Sequence, residues 1–140
     1  MSELRWVFRH RLQVRFSDCD LLGHVNHAVY LTYFEQARSA WWRALGGGTA
    51  TMPGAGAIIV HASCNYRAPA FPADDLEIRI VVAALGTSSV TLDYAVVNAT
   101  TGQHLADGRT VNVAYDYTAN RTIPLPGVTR AALSAAPEPD

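Results

Sequence analysis

The sequence predicts an α+β domain in which a curved five-stranded antiparallel sheet wraps around one long central helix. Three observations carry this expectation. Five stretches read as strands, four of them alternating apolar and polar residues with a period of two. One stretch, residues 27–45, has helical spacing and is apolar around most of its circumference. The connections between the later strands are too short for a parallel crossover, which needs about a dozen residues or more.

The first strand, residues 8–16, sets Phe8, His10, Leu12, Val14 and Phe16 against Arg9, Arg11, Gln13 and Arg15. The helix follows over residues 27–45. At 100° per residue, Thr32, Gln36, Ser39 and Arg43 fall on one narrow polar stripe, flanked by Glu35 and Arg38, which can pair three residues apart. Nearly every other helical position is apolar or aromatic, so the helix is expected to be buried, and Gly46, Gly47 and Gly48 stop it. The second strand, residues 57–66, is β-branched and apolar in its first half. In the third, 76–80, Leu76, Ile78 and Ile80 alternate with Glu77 and Arg79. The fourth, 90–96, and the fifth, 111–117, repeat the pattern through Val90, Leu92, Tyr94 and Val96, then Val111, Val113, Tyr115 and Tyr117. Short links at 69–75, 86–87 and 98–102 lead to an expected antiparallel meander of the last four strands. Only the link across 17–56 is long, and it holds the helix. A curved antiparallel sheet closed around one helix is the hotdog architecture. A single domain is expected over residues 1–126, with 127–140 as a C-terminal tail, short helix or disordered, and its Ala/Pro/acid end at 135–140 frayed.

Composition narrows the function. The 140 residues suit one domain, and 49% hydrophobic against 16% charged residues excludes intrinsic disorder. A net charge of −1 leaves no basic footprint for nucleic acid or an anionic membrane. No apolar run approaches a membrane span and residues 1–10 lack a signal-peptide core, so a soluble cytoplasmic protein is expected. Cys19 and Cys64 cannot form a disulfide framework. Lys is absent, so any phosphate must be held by Arg, His or backbone N–H groups. There is no G-x-S-x-G elbow and no G-x-G-x-x-G fingerprint.

Chemistry concentrates in residues 16–38, where two acids, two histidines and an asparagine precede the helix. The first N–H groups of a helix lack partners within it, and its dipole places about +0.5 charge there. Such an end can hold the oxyanion that forms when a carbonyl is attacked, and a carboxylate just upstream can act beside it. Asp20 is thus either a catalytic acid or an ordinary turn residue. Asp18 is read as structural. His24 is a loop-organising group or a catalytic one, and His27 is evenly balanced. Asn26 is read as the N-cap. No H-E-x-x-H or Cys/His zinc spacing is present, so no metal is expected. Cys19, between two carboxylates, is disfavoured as a thiolate. Trp41, Trp42 and Tyr66 are read as core before acyl pocket.

The run D-x-D-x-x-G-H-V-N-x-x-x-Y, at Asp18, Asp20, Gly23, His24, Val25, Asn26 and Tyr30, with Phe34, Glu35, Ala37 and Arg38 after it, resembles the 4-hydroxybenzoyl-CoA thioesterase-like branch of hotdog acyl-CoA thioesterases. The resemblance continues at residues 65–69, 74–78 and 87–89. It implies hydrolysis of an acyl-CoA thioester to a free acid and CoA, with Asp20 as nucleophile or as general base on water. It implies that the His27 N–H polarises the thioester carbonyl and that the His27 side chain assists. The branch commonly has a Tyr four residues before the catalytic acid. Phe16 stands there, so that hydroxyl's part falls to His24 or to water. The site is implied to lie at a subunit interface of a homodimer or homotetramer, with CoA running over the neighbouring subunit. Arg67 is the candidate phosphate contact and Ser89 a candidate for pantetheine or phosphate. Val60 and His61 are candidates for shaping the acyl pocket. CoA enters only as part of the substrate, and no separate cofactor is implied. Two alternatives stand beside this reading: a thioesterase acting on an acyl carrier protein, and a non-catalytic acyl-CoA-binding module.

Overall fold

The computed structural model describes residues 6–48 and 51–134. The frayed stretch expected at 135–140 and the first half of the N-terminal segment read above lie outside the described residues. Seven strands form one antiparallel sheet among the described residues: β1 (Phe8–Gln13), β2 (Thr51–Met52), β3 (Ala55–Tyr66), β4 (Asp75–Leu85), β5 (Ser89–Asn98), β6 (His104–Asp116) and β7 (Arg121–Thr122). The described residues also form two α-helices, α1 (Val29–Ala44) and α2 (Gly127–Leu133). The expected five strands are therefore too few, and a short second helix accompanies the long one. Strands β2 and β7 are two residues each, too short to show a period, and α2 lies in the expected tail.

The strand order is β1-β4-β5-β6-β3-β2, with β7 on β6. This corrects the expected meander of the last four strands. Strands β4, β5 and β6 do meander, but β3 pairs with β6 rather than β4. Residues 67–74 cross the end of the sheet to join β3 to β4. Eight extended residues span up to ~27 Å, and three strand spacings are only ~14 Å. A short link excludes a parallel crossover without requiring a hairpin.

Helix α1 touches β1 and β4 on one side of the sheet and β2 and β3 on the other. Only a sheet curled around it allows that. Its buried residues are Tyr30, Tyr33, Phe34, Ala37, Arg38, Trp41 and Trp42, a stripe at three- and four-residue steps. The opposite face, with Leu31, Thr32, Glu35, Gln36 and Arg43, is exposed, so the helix is covered on one side rather than all round. Phe34 lies flat on Tyr94, with centroids 4.4 Å apart and planes 15° apart. Gly108, opposite Tyr94 in the register, leaves room for the Phe34 ring where a Cβ would collide with it. The helix ends as its glycines require. Gly46 adopts φ +92°, its N–H bonds Arg43 O, and the Gly47 N–H bonds Trp42 O at 2.7 Å.

The expected Glu35–Arg38 pair does not form. Arg38 belongs to the buried stripe and donates from Nη1 to the Tyr94 hydroxyl at 3.0 Å, with its guanidinium over Trp42. The Tyr94 hydroxyl in turn meets Thr110 at 2.7 Å, and Asn112 donates to Thr110. Helix α2 docks on the sheet through Thr129, which donates to Pro53 O, and through Arg130, which donates to Gly86 O at 2.7 Å.

Candidate active site

The chain between β1 and α1 makes a tight reversal that places Asp20. Cys19 and Val25 form an isolated antiparallel bridge, the Asp20 N–H bonds His24 O at 3.1 Å, and the Gly23 N–H bonds Asp20 O at 3.0 Å. Gly23 sits at φ +84°, a left-handed conformation that favours glycine at the turn. The reversal is then tied down: the Val25 N–H bonds Ala70 O in the 67–74 crossing, and the Asn26 N–H bonds Asp18 O.

The two acids have different surroundings. Asp18 is 3% exposed. Its Oδ2 accepts the Arg15 N–H at 3.0 Å and the Tyr33 hydroxyl at 2.8 Å, and its Oδ1 accepts Arg15 Nη2 at 2.9 Å. Burial alone would raise its pKa, but these donors outweigh burial and hold the carboxyl below its ordinary value. The Tyr33 phenol is pushed up by burial and by its bond to that carboxylate. Asp20 is half-buried. Its Oδ1 accepts the Leu22 N–H at 2.9 Å, and no donor among the described residues reaches its Oδ2.

The helix start is built around His27. Asn26 accepts the Ala28 N–H on Oδ1 at 2.9 Å and the Val29 N–H on its carbonyl at 3.0 Å. The helical cap position is Ala28, so Asn26 caps the turn just before the helix rather than the helix itself. The His27 N–H meets no acceptor among the described residues. The His27 carbonyl accepts the Tyr66 hydroxyl at 2.7 Å. Its ring stands edge-on to Tyr66 at 6.4 Å, and Tyr66 stands edge-on to Tyr30 at 5.2 Å. The Tyr30 phenol is pushed up to about 12, chiefly by burial. His24 stands edge-on to Phe71 at 6.5 Å.

These groups open on one cavity of about 410 Å³. Asp20, His24 and His27 line it, closed in by Leu22, Val25, Tyr30, Tyr66, Ala68 and Pro69. Asp20, with a carboxylate oxygen that no described residue partners, and His27, with a backbone N–H likewise unpartnered, thus line one pocket at the opening turn of a helix. The thiols offer no competing nucleophile. Burial and the nearby Asp18, Asp20 and Asp74 push Cys19 up, and burial does the same at Cys64. Among the described residues no group of three His, Cys, Asp or Glu side chains is placed to hold a metal ion.

The other sequence candidates are not brought to this pocket within one chain. Arg67 donates from Nε to Asp107 Oδ2 at 2.6 Å. Asp107 also takes Asn65 and His104; burial opposes ionisation there, but these partners outweigh it and hold the carboxyl down at about 2. Ser89 pairs with Val113 at the level of Ile58, roughly 27 Å along β3 from Tyr66. Val60 sits at a bulge on the open side of β3 with His61 beside it, both exposed. Phe16 is 81% exposed and does not line the pocket. Sequence reasoning missed Tyr66 as a site residue. The run at residues 65–69 marked its neighbourhood, but its contact with His27 joins residues 39 apart. Two further cavities, of about 670 and 260 Å³, follow the exposed face of α1 beside β3 and share Glu35, Arg38 and Ile59.

Comparison with known proteins adds a family. The model of the thioesterase-like superfamily matches residues 14–133. A 1,4-dihydroxy-2-naphthoyl-CoA hydrolase of Synechococcus elongatus is 30% identical over 122 residues, covering 81% of this chain and 85% of that one. The uncharacterized protein YsmA of Bacillus subtilis is 31% identical over 90 residues, which is 62% of this chain, and the match spans only 58% of YsmA. Among solved structures, Slr0204 of Synechocystis, a 1,4-dihydroxy-2-naphthoyl-CoA thioesterase, superposes with a TM-score of 0.79 over 90% of this chain and 94% of that one. At 24% identity that likeness speaks for the fold.

Proposed function

The chain belongs to the thioesterase-like superfamily of thioester hydrolases, and we propose that it cleaves an acyl-CoA thioester in the Asp20 pocket. The single observation that carries this reading is the shared cavity: Asp20, with one carboxylate oxygen free of described donors, and His27, with an unpartnered N–H, both line it at the positive end of α1. The thioester carbonyl oxygen sits on the His27 N–H, which strengthens its hold as negative charge develops. Asp20 then acts in one of two balanced ways. As a general base it takes a proton from water as the water oxygen bonds the carbonyl carbon. Collapse breaks the C–S bond, and the Asp20 carboxyl returns the proton to the CoA sulfur. As a nucleophile, a carboxylate oxygen bonds the carbonyl carbon, CoA thiolate leaves, and water cleaves the resulting mixed anhydride. One turnover in heavy-oxygen water separates the routes, because label enters Asp20 only through the anhydride.

The rings of Tyr30, Tyr66, His24 and His27 line the pocket, and edge-to-face aromatic contacts favour a planar aryl acyl group. The Synechococcus relative, named for an aromatic acyl-CoA, supports this class. The test is release of free thiol from a panel of benzoyl-CoA, decanoyl-CoA and a benzoylated acyl carrier protein. Benzoyl-CoA should turn over fastest. Faster turnover on the carrier protein would reassign the carrier, and no release from any member would leave a binding module.

Self-association is part of the proposal. Beyond the β2 pairing at Thr51–Met52, the outer edge of β3 is unpaired among the described residues, and an open edge invites a second strand. Antiparallel pairing of two such edges about their midpoint would set Ser89 of a second copy at the level of Tyr66. That would give the CoA arm a surface on the neighbouring subunit, and the Glu35–Arg38 cavities would become the seam between copies.

A further inference from the structure

We propose that Tyr66 is a positioning residue for the reaction: its hydroxyl, bound to the His27 carbonyl, holds the opening turn of α1 so that the His27 N–H stays aimed into the pocket. The proposal rests on the function proposed above. His27 and Ala28 are both exposed. Turns at helix ends fray unless something outside the helix fixes them. Asn26 accepts the N–H groups of Ala28 and Val29, both after His27, and donates its own N–H to Asp18 O, so none of its bonds holds His27 itself. Tyr66 belongs to β3, a strand paired along its length with β6. Its bond to His27 O, at 2.7 Å, is the direct tie from His27 itself to the sheet.

An N–H that stabilises an oxyanion acts by being in place before charge develops, since reorienting it during the reaction would consume much of its benefit. Fixing the carbonyl of residue 27 limits rotation about that residue's backbone and so limits where its N–H can point. The phenol ring adds a second restraint by standing edge-on to both His27 and Tyr30. A phenol is protonated at neutral pH and desolvation pushes this one further up, so it remains a donor where a thioesterase works.

Tyr66→Phe keeps the ring and its edge contacts and removes only the donor. Tyr66 is 49% exposed, so the loss leaves no buried polar group on the side chain itself. The variant is expected to lose about tenfold in kcat, the worth of one well-made hydrogen bond expressed in the transition state. KM should stay within about twofold and Tm within a few degrees. Amide hydrogen exchange at His27, Ala28 and Val29 should quicken. An isosteric second probe is 3,5-difluorotyrosine at position 66, whose phenol ionises near neutrality. Because a phenolate cannot donate, kcat should fall as pH rises through that ionisation, a limb the unmodified protein lacks. Unchanged kcat in Tyr66→Phe, or a loss matched by an equal rise in KM or a collapse in Tm, overturns the positioning role. So does a flat pH profile with the fluorinated residue. Asp20→Asn assayed alongside keeps the two claims apart. If that variant stays active the catalytic reading fails, whereas an inactive Asp20→Asn with a fully active Tyr66→Phe sinks only the positioning claim.

Discussion

Two aspartates two residues apart carry different parts of the site, and their partners explain why. Asp18 is enclosed and accepts three donors, from Arg15 and Tyr33, and its own carbonyl anchors Asn26. Such a carboxylate is a brace, because every lone pair used for structure is unavailable for chemistry. Asp20 spends one oxygen on the Leu22 N–H, which orients the group, no described donor engages the other, and the residue lines the pocket. The sequence motif read Asp18 as structural and Asp20 as the reacting acid, because spacing from the helix start is local information. Arg67 shows the limit of that reasoning. In a chain without lysine it reads as a candidate phosphate contact, and the partner that engages its Nε, Asp107, lies forty residues away where spacing cannot show it. Tyr66 shows the same limit from the other side: an aromatic in a strand reads as core until its hydroxyl is seen on His27.

At the scale of elements, α1 lies over the sheet, and the Phe34 ring comes down on the backbone of β6 at Gly108. A Cβ there would run into the Phe34 ring, which is wedged between Gly108 and Tyr94. Gly108→Ala is expected to cost about 1–3 kcal/mol, the usual range for overpacking a filled core, seen as a lower midpoint in urea with an unchanged slope. A stability within error of the parent would mean that Phe34 can move aside at no cost. The helix itself was legible from its apolar spacing and glycine stop. Its exposed half was not, because Leu31 and Ala44 look as apolar on paper as the residues that reach the core. Strand β6 runs from His104, well before the expected 111, because Asp107, Gly108 and Arg109 interrupt the alternation that marks a strand. Strand order escaped the sequence altogether, since a link that crosses the sheet end and one that makes a hairpin can have the same length.

The whole molecule is a curled sheet with one helix on its inner side, and it leaves two features a single copy does not satisfy: the open β3 edge and the half-covered face of α1. Pairing two β3 edges would answer both. A negative charge in the middle of that edge should prevent it. Sedimentation of the parent should therefore give about twice the 15.2 kDa chain mass, and Val60→Glu should give the single-chain value with a fall in activity. A parent chain that is active as a monomer would contradict this assembly. The central claim is narrower and is tested most directly by kcat/KM for thiol release from benzoyl-CoA in Asp20→Asn, with Asp18→Asn and the parent protein beside it. Loss of at least about a hundredfold in Asp20→Asn, with its far-ultraviolet circular dichroism and Tm preserved, is the predicted result. Full activity in Asp20→Asn would contradict the account, as would a folded Asp18→Asn that alone is inactive.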